Sequence, residues 1–152
     1  MKRALIAAAV IGAVFVGYRT IRGHGPEAHY QAFAEEILHR RYAAAAGMAE
    51  GLTERDLEKL GSQERIGAGP QMFQTLFPSR FRIESKDSGS DGTVIVHATQ
   101  TVLFNPVGVE SAVRPAMFAT LKQVTTLRKS ADGWKVVRFE NQFEKMDSMS
   151  GR

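Results

Sequence analysis

The spacing of apolar residues changes three times along this chain, and each change marks a different kind of element. From Ala4 to Tyr18 no charged residue occurs, with Lys2 and Arg3 before the run and Arg19 and Arg22 after it. His24-Gly25-Pro26 breaks that run, and Pro26 suits the first turn of a helix. Tyr30, Phe33, Ile37, Leu38, Tyr42, Ala45 and Ala46 then recur at three and four, opposite Glu35, Glu36, Arg40 and Arg41, which predicts one amphipathic helix to about Ala49. Gly51 ends it. Thr53 with Asp56 forms an approximate capping box for a short second helix carrying Leu57 and Leu60, and Gly61 closes that helix. Residues 62–69 read as a loop, and Pro70 starts a predicted third helix carrying Met72, Phe73, Leu76 and Phe77 that Pro78 stops.

Beyond Pro78 the period becomes two. Phe81 and Ile83 alternate within a strand over residues 80–86, residues 87–92 are rich in turn formers, and a long strand runs from Thr93 to Phe104. Asn105-Pro106-Val107-Gly108 turns the chain. Another strand covers about residues 114–129, with Pro115 at its start, and Asp132-Gly133 sets up a hairpin into a last strand from Trp134 to Phe143. Three helices followed by four antiparallel strands predict an α+β domain, a curved sheet with helices on its concave face. The expected division is an N-terminal segment 1–23, one domain 24–146, and a polar tail 147–152.

Charge separates the first segment from the rest. Lys2, Arg3, Arg19 and Arg22 are four of 20 basic residues, and the other sixteen face 16 acidic ones, so the net charge of +4 belongs to residues 1–23. The body is neutral, which removes the nucleic-acid reading that a basic chain invites. A basic start followed by an apolar run fits an export signal or membrane anchor; the small-x-small cleavage pattern is lacking, since Gly17-Tyr18-Arg19 follows the run. The run is shorter than the roughly 20 residues of a typical spanning helix. Flanking Lys and Arg can snorkel to the headgroups. The expectation is an uncleaved single-pass anchor through Ala4–Tyr18 in a bacterial inner membrane, with the body in the periplasm or otherwise outside the cytoplasm. The alternatives are secretion after cleavage and an ordinary buried helix. Cysteine is absent, so an exported domain must rely on its core alone.

Two stretches resemble a known family. Tyr42-Ala-Ala-Ala-Ala-Gly-Met-Ala-Glu-Gly-Leu closes the long first helix, and Gln123-Val-Thr-Thr-Leu-Arg-Lys-Ser-Ala-Asp-Gly-Trp-Lys-Val-Val-Arg-Phe forms the closing hairpin. Together, over about residues 26–145, they resemble the nuclear transport factor 2-like superfamily. The resemblance implies a cone-shaped fold, with any site at the open end between the first helices and the sheet. Members include ketosteroid isomerase, scytalone dehydratase and polyketide cyclases beside binding modules and scaffolds, so the fold alone does not select an activity.

Candidate chemistry is sparse. His97 shares a strand face with Ile95, Thr99, Thr101 and Leu103, and if that face lines the cone its imidazole suits a general acid or base. Isomerase chemistry of the family's kind needs a carboxylate and an oxyanion-binding Tyr. Tyr30 and Tyr42 lie twelve residues apart, and the strand acids Glu84, Glu110 and Glu140 sit in no apolar run of the sequence. His29 and His39, about 15 Å apart along one helix, do not share a metal. No metal-ligand spacing, nucleophile elbow or phosphate loop occurs, and no cofactor is expected. Arg40 and Arg41 suit anionic lipid or a solvated helix face with Glu36 pairing to Arg40. The expectation is a non-enzymatic binding or assembly domain that engages a protein partner or a second copy through the sheet. The alternative is a ligand-binding or isomerase-, dehydratase- or cyclase-like cone using His97, Tyr30 and Tyr42.

Overall fold

The computed structural model describes residues 24–63, 73–75, 79–106 and 116–148. The apolar run at Ala4–Tyr18 lies outside them; among the described residues no helix is long and apolar enough to cross a membrane. Helix α1 spans Pro26–Leu38, with Pro26 in its first turn and Gly25 extended before it. Tyr30, Phe33, Ala34 and Ile37 form its buried stripe, at the spacing the sequence predicts.

The expected single helix to Ala49 is in fact two. Arg40 adopts a left-handed φ of 57°. The Arg41 amide donates to the Glu36 carbonyl at 2.9 Å and the Arg40 amide to Ile37 at 3.0 Å, the bond pattern of a Schellman motif. Glycine ordinarily marks that position, and an arginine there left no sign in the sequence. The Arg41 guanidinium forks onto Glu36, so Glu36 pairs with Arg41 and not with Arg40. Helix α2, Tyr42–Gly47, restarts in a new direction that buries Ala45 completely.

Helix α3, Glu54–Gln63, opens on the expected capping box: the Asp56 amide donates to Thr53 Oγ1 at 3.2 Å, and the Thr53 amide to Asp56 Oδ2 at 3.0 Å. The third helix predicted from Pro70 is corrected in its centre. Phe73–Thr75 is a strand, β1, antiparallel to Phe104–Pro106, while its flanks lie outside the described residues. A short apolar run has no period of its own, and the edge of a long neighbouring strand decides its conformation.

Strands β2 (Arg80–Ser88), β3 (Thr93–Pro106), β4 (Met117–Ser130) and β5 (Gly133–Ser148) form an antiparallel sheet in sequence order. β1 and β2 share one edge of β3, and β5 is the last strand on the other side. The Asp132-Gly133 turn is where the sequence puts it, Gly133 taking φ 110°. β5 runs to Ser148, past the expected end at Phe143 and into the expected tail. Bulges fall between Ile83 and Ser85, and on β5 near Val137 and Glu144.

All three helices lie on one face of the sheet. Tyr30, Phe33, Ile37, Ala45 and Leu57 pack there against Val96, Ala98, Leu127, Val136 and Phe139. A second cluster, Val102, Ala119 and Leu121 with Leu38, Phe143 and Met146, fills the other end of that face. Met48 to Glu50 clasps the start of β5: the Glu50 amide donates to the Val136 carbonyl at 2.8 Å and the Val136 amide to Met48 at 3.1 Å. His29 Nε2 donates to the same Met48 carbonyl at 2.9 Å.

Candidate functional site

Strand parity decides which residues face the helices. On β3, past the buried Thr93 at its start, the buried positions are Val96, Ala98, Gln100 and Val102; on β4 they are Ala119, Leu121, Gln123, Thr125 and Leu127. Two glutamines thus stand where the alternation calls for apolar side chains. They meet between the two apolar clusters. Gln123 Nε2 donates to Gln100 Oε1 at 2.7 Å and to Asn141 Oδ1 at 3.1 Å, and its Oε1 accepts from the Tyr30 hydroxyl at 2.5 Å. Gln100 Nε2 continues to Ser79 Oγ at 2.9 Å, and the Ser79 amide donates to Glu35 Oε1 at 2.9 Å. Glu35 Oε2 in turn lies 3.3 Å from His39 Nε2.

Such a belt costs little only while every member has a partner. The Tyr30 hydroxyl is fully buried and its ring meets Phe81 edge to face at 5.6 Å. Burial pushes its ionisation far above the usual tyrosine range, so it stays a neutral donor. Thr125, one inward position beyond Gln123, is fully buried and its hydroxyl has no hydrogen-bond partner among the described residues.

The three sequence candidates do not converge. Tyr30 belongs to the glutamine belt. Tyr42 lies half-buried on α2 against α3, so close that a β-carbon on Gly61 would overlap its hydroxyl and ring. His97 is on the opposite face of the sheet from Tyr30, 41% exposed, with Nε2 3.6 Å from Asp87 Oδ2. Its face is therefore not the one the helices cover. Among the described residues no group of three His, Cys, Asp or Glu side chains is placed to hold a metal ion.

The face His97 shares is mixed. Leu103 sits opposite Phe118, His97 opposite Val124 and Ile95 opposite Thr126, all half-buried. Charges ring them in pairs: Lys122 with Glu144 at 2.9 Å, Arg82 with Glu84 at 3.2 Å, and Arg138 with Glu140 at 2.5 Å. The Thr99 hydroxyl and Arg82 bonded to Glu84 hold its carboxyl below the usual range.

No family model matches the chain, and no curated protein matches it. Gln100, Gln123, Asn141 and Ser79 were not singled out by sequence reasoning. The signal was present in Val96-x-Ala98-x-Gln100-x-Val102 and Ala119-x-Leu121-x-Gln123, where a polar residue interrupts an inward-facing apolar series.

Proposed function

We propose that this chain is a non-enzymatic assembly domain of the nuclear transport factor 2-like kind, carried outside the cytoplasm by an anchor at Ala4–Tyr18. It engages a protein partner or a second copy through the sheet face opposite the helices. One observation carries the reading: the helix-covered face is filled by its own side chains, while the opposite face presents Leu103, Phe118, Val124 and Ile95 half-exposed inside a ring of charge pairs. An apolar centre with a polar rim is the pattern of a modest protein interface. The enzymatic alternative needs His97 and Tyr30 to face one substrate, and the sheet stands between them.

The charge bracket around Ala4–Tyr18 supports the anchor. Fractionation of the full-length protein with N-terminal mass measurement tests it: an intact Met1 in a membrane pellet released by detergent and not by salt is expected, and a start near residue 20 in the soluble fraction refutes it. For the interface, Phe118→Arg is expected to abolish cross-linking from position 124 in native membranes, with unchanged circular dichroism. The absence of any adduct from position 124 overturns the reading.

A further inference from the structure

The last strand carries a second surface, distinct from the sheet face. β5 ends the sheet order, and among the described strands nothing pairs with its outer edge; the one bridge there, Ala49 to Val136, occupies only its start. Between the bulges near Val137 and Glu144, the stretch Arg138 to Phe143 keeps an unbroken ladder with β4, so it is the straight part of the edge. An exposed edge of that kind is a template for another strand.

What that strand is follows from the residues. Arg138-Phe139-Glu140-Asn141-Gln142-Phe143-Glu144 is self-complementary when run against its own reverse. We propose that two copies pair antiparallel through residues 138–144 of β5, about a two-fold axis at Asn141, to make one continuous sheet; the pairing stops short of Val136, whose outer edge is bonded to Met48 and Glu50. Arg138 of each copy then faces Glu144 of the other, Glu140 faces Gln142, and Phe139 faces Phe143. The faces agree. Arg138, Glu140, Gln142 and Glu144 lie on the side away from the helices, where Glu144 meets Lys122, while Phe139 and Phe143 belong to the two apolar clusters.

Neighbouring registers are excluded on physical grounds. A slide of one residue sets outward side chains against inward ones. Centring on Glu140 puts that carboxylate opposite its own copy, and centring on Gln142 puts Glu140 opposite Glu144. Like charges directly opposed across strands are destabilising. Of these three registers only the one centred on Asn141 pairs both acids with non-acids; centring on Phe139 also does so, but it sets Gln142 against Val136, whose outer edge is already bonded to Met48 and Glu50. A two-fold axis normal to the sheet also keeps both helical layers on the same side, so neither copy's helices meet the other's outer face. This interface rests on β5 alone and holds whether or not the Phe118 face has a partner.

The chain has no cysteine, so a single Asn141→Cys joins only to its symmetry mate, at a cross-strand separation that a disulfide or a short bis-maleimide spans. Full-length protein carrying Asn141→Cys is expected to cross-link to a dimer. In sedimentation equilibrium, Arg138→Glu is expected to weaken self-association roughly tenfold, because two symmetry-related pairs turn repulsive at once. The swap Arg138→Glu with Glu144→Arg is expected to restore it; both positions are exposed, so folding is little affected. A monomer at all concentrations overturns the proposal. So does a dimer that ignores Arg138→Glu and yields to Phe118→Arg, which would leave the sheet-face reading standing without this one.

Discussion

Replacing Tyr30 by phenylalanine tests the buried belt with a change of one atom. The ring keeps its edge-to-face contact with Phe81 and its place among Phe33, Ile37 and Val96, so packing is nearly constant. What is lost is the donor to Gln123 Oε1, an acceptor on a side chain only 2% exposed that has no other donor among the described residues. A buried acceptor left unsatisfied costs about 1 to 3 kcal/mol. For a domain of this size that is a fall of about 4 to 12 °C in Tm. Urea unfolding followed by circular dichroism should show the lower midpoint with an unchanged slope. Gln123→Leu should cost more, since it strands Gln100 and Asn141 as well, and the double variant should cost less than the sum of the two by about 1 to 2 kcal/mol. Alkali gives an independent reading. Tyr30 ionises in the unfolded chain near pH 10.0 and well above that in the fold, so the unfolded state loses its proton first and stability falls as pH rises above 10. The slope from this group is about 1.4 kcal/mol per pH unit, and it should vanish in Tyr30→Phe. A loss under about 0.5 kcal/mol together with an unaltered alkaline slope would refute the idea that this hydroxyl anchors the belt.

Thr125→Val should raise stability by about 1 kcal/mol in the same urea assay, because it exchanges a buried hydroxyl without a partner among the described residues for a methyl of equal size. Gly61→Ala should lower stability by about 1 to 3 kcal/mol through overlap with the Tyr42 ring, and Tyr42→Leu should recover much of the loss in the double variant. At low pH, Glu27 bonded to Lys86, Glu36 bonded to Arg41, and Asp91 bonded to Thr93 all have carboxyls held below their ordinary range. Their contribution is present above about pH 4.5 and is lost as pH falls through the lower folded values; Lys86→Met should flatten the acid limb of a Tm-against-pH curve.

Period and punctuation made much of the fold legible. Thr53 with Asp56, the Asp132-Gly133 turn and the alternation from Thr93 onward each act within a few residues, and each lies where the pattern put it. What the pattern lacked was any term for neighbours distant in sequence. Arg40 ends α1 in the conformation glycine favours because the chain must turn to bring Ala45 onto the sheet, and no local signal records that demand. Phe73 to Thr75 becomes strand because β3 extends past the end of β2 and offers it an edge. The face of His97 is the instructive case. Both parities of β3 mix apolar and polar residues, one holding Ile95, His97 and Leu103 and the other Val96, Gln100 and Val102, so alternation alone leaves the inward side open. Burial of Gln100 settles it, since its partners come from β4 and from the segment before β2.

The clasp between Met48 and Val136 also sets an order of events in time. Helices made early are held by strands made late: Lys135 of β5 reaches the Gly47 carbonyl 88 residues back, and Gln123 of β4 accepts from Tyr30 across 93. Contacts that span most of a chain form late, after the intervening loop has been closed. While the chain is still being synthesised, α1 to α3 therefore have a buried stripe but no sheet to lie on. The domain stays open until β5 emerges, and a break that removes β5 is as damaging as one that removes an earlier strand.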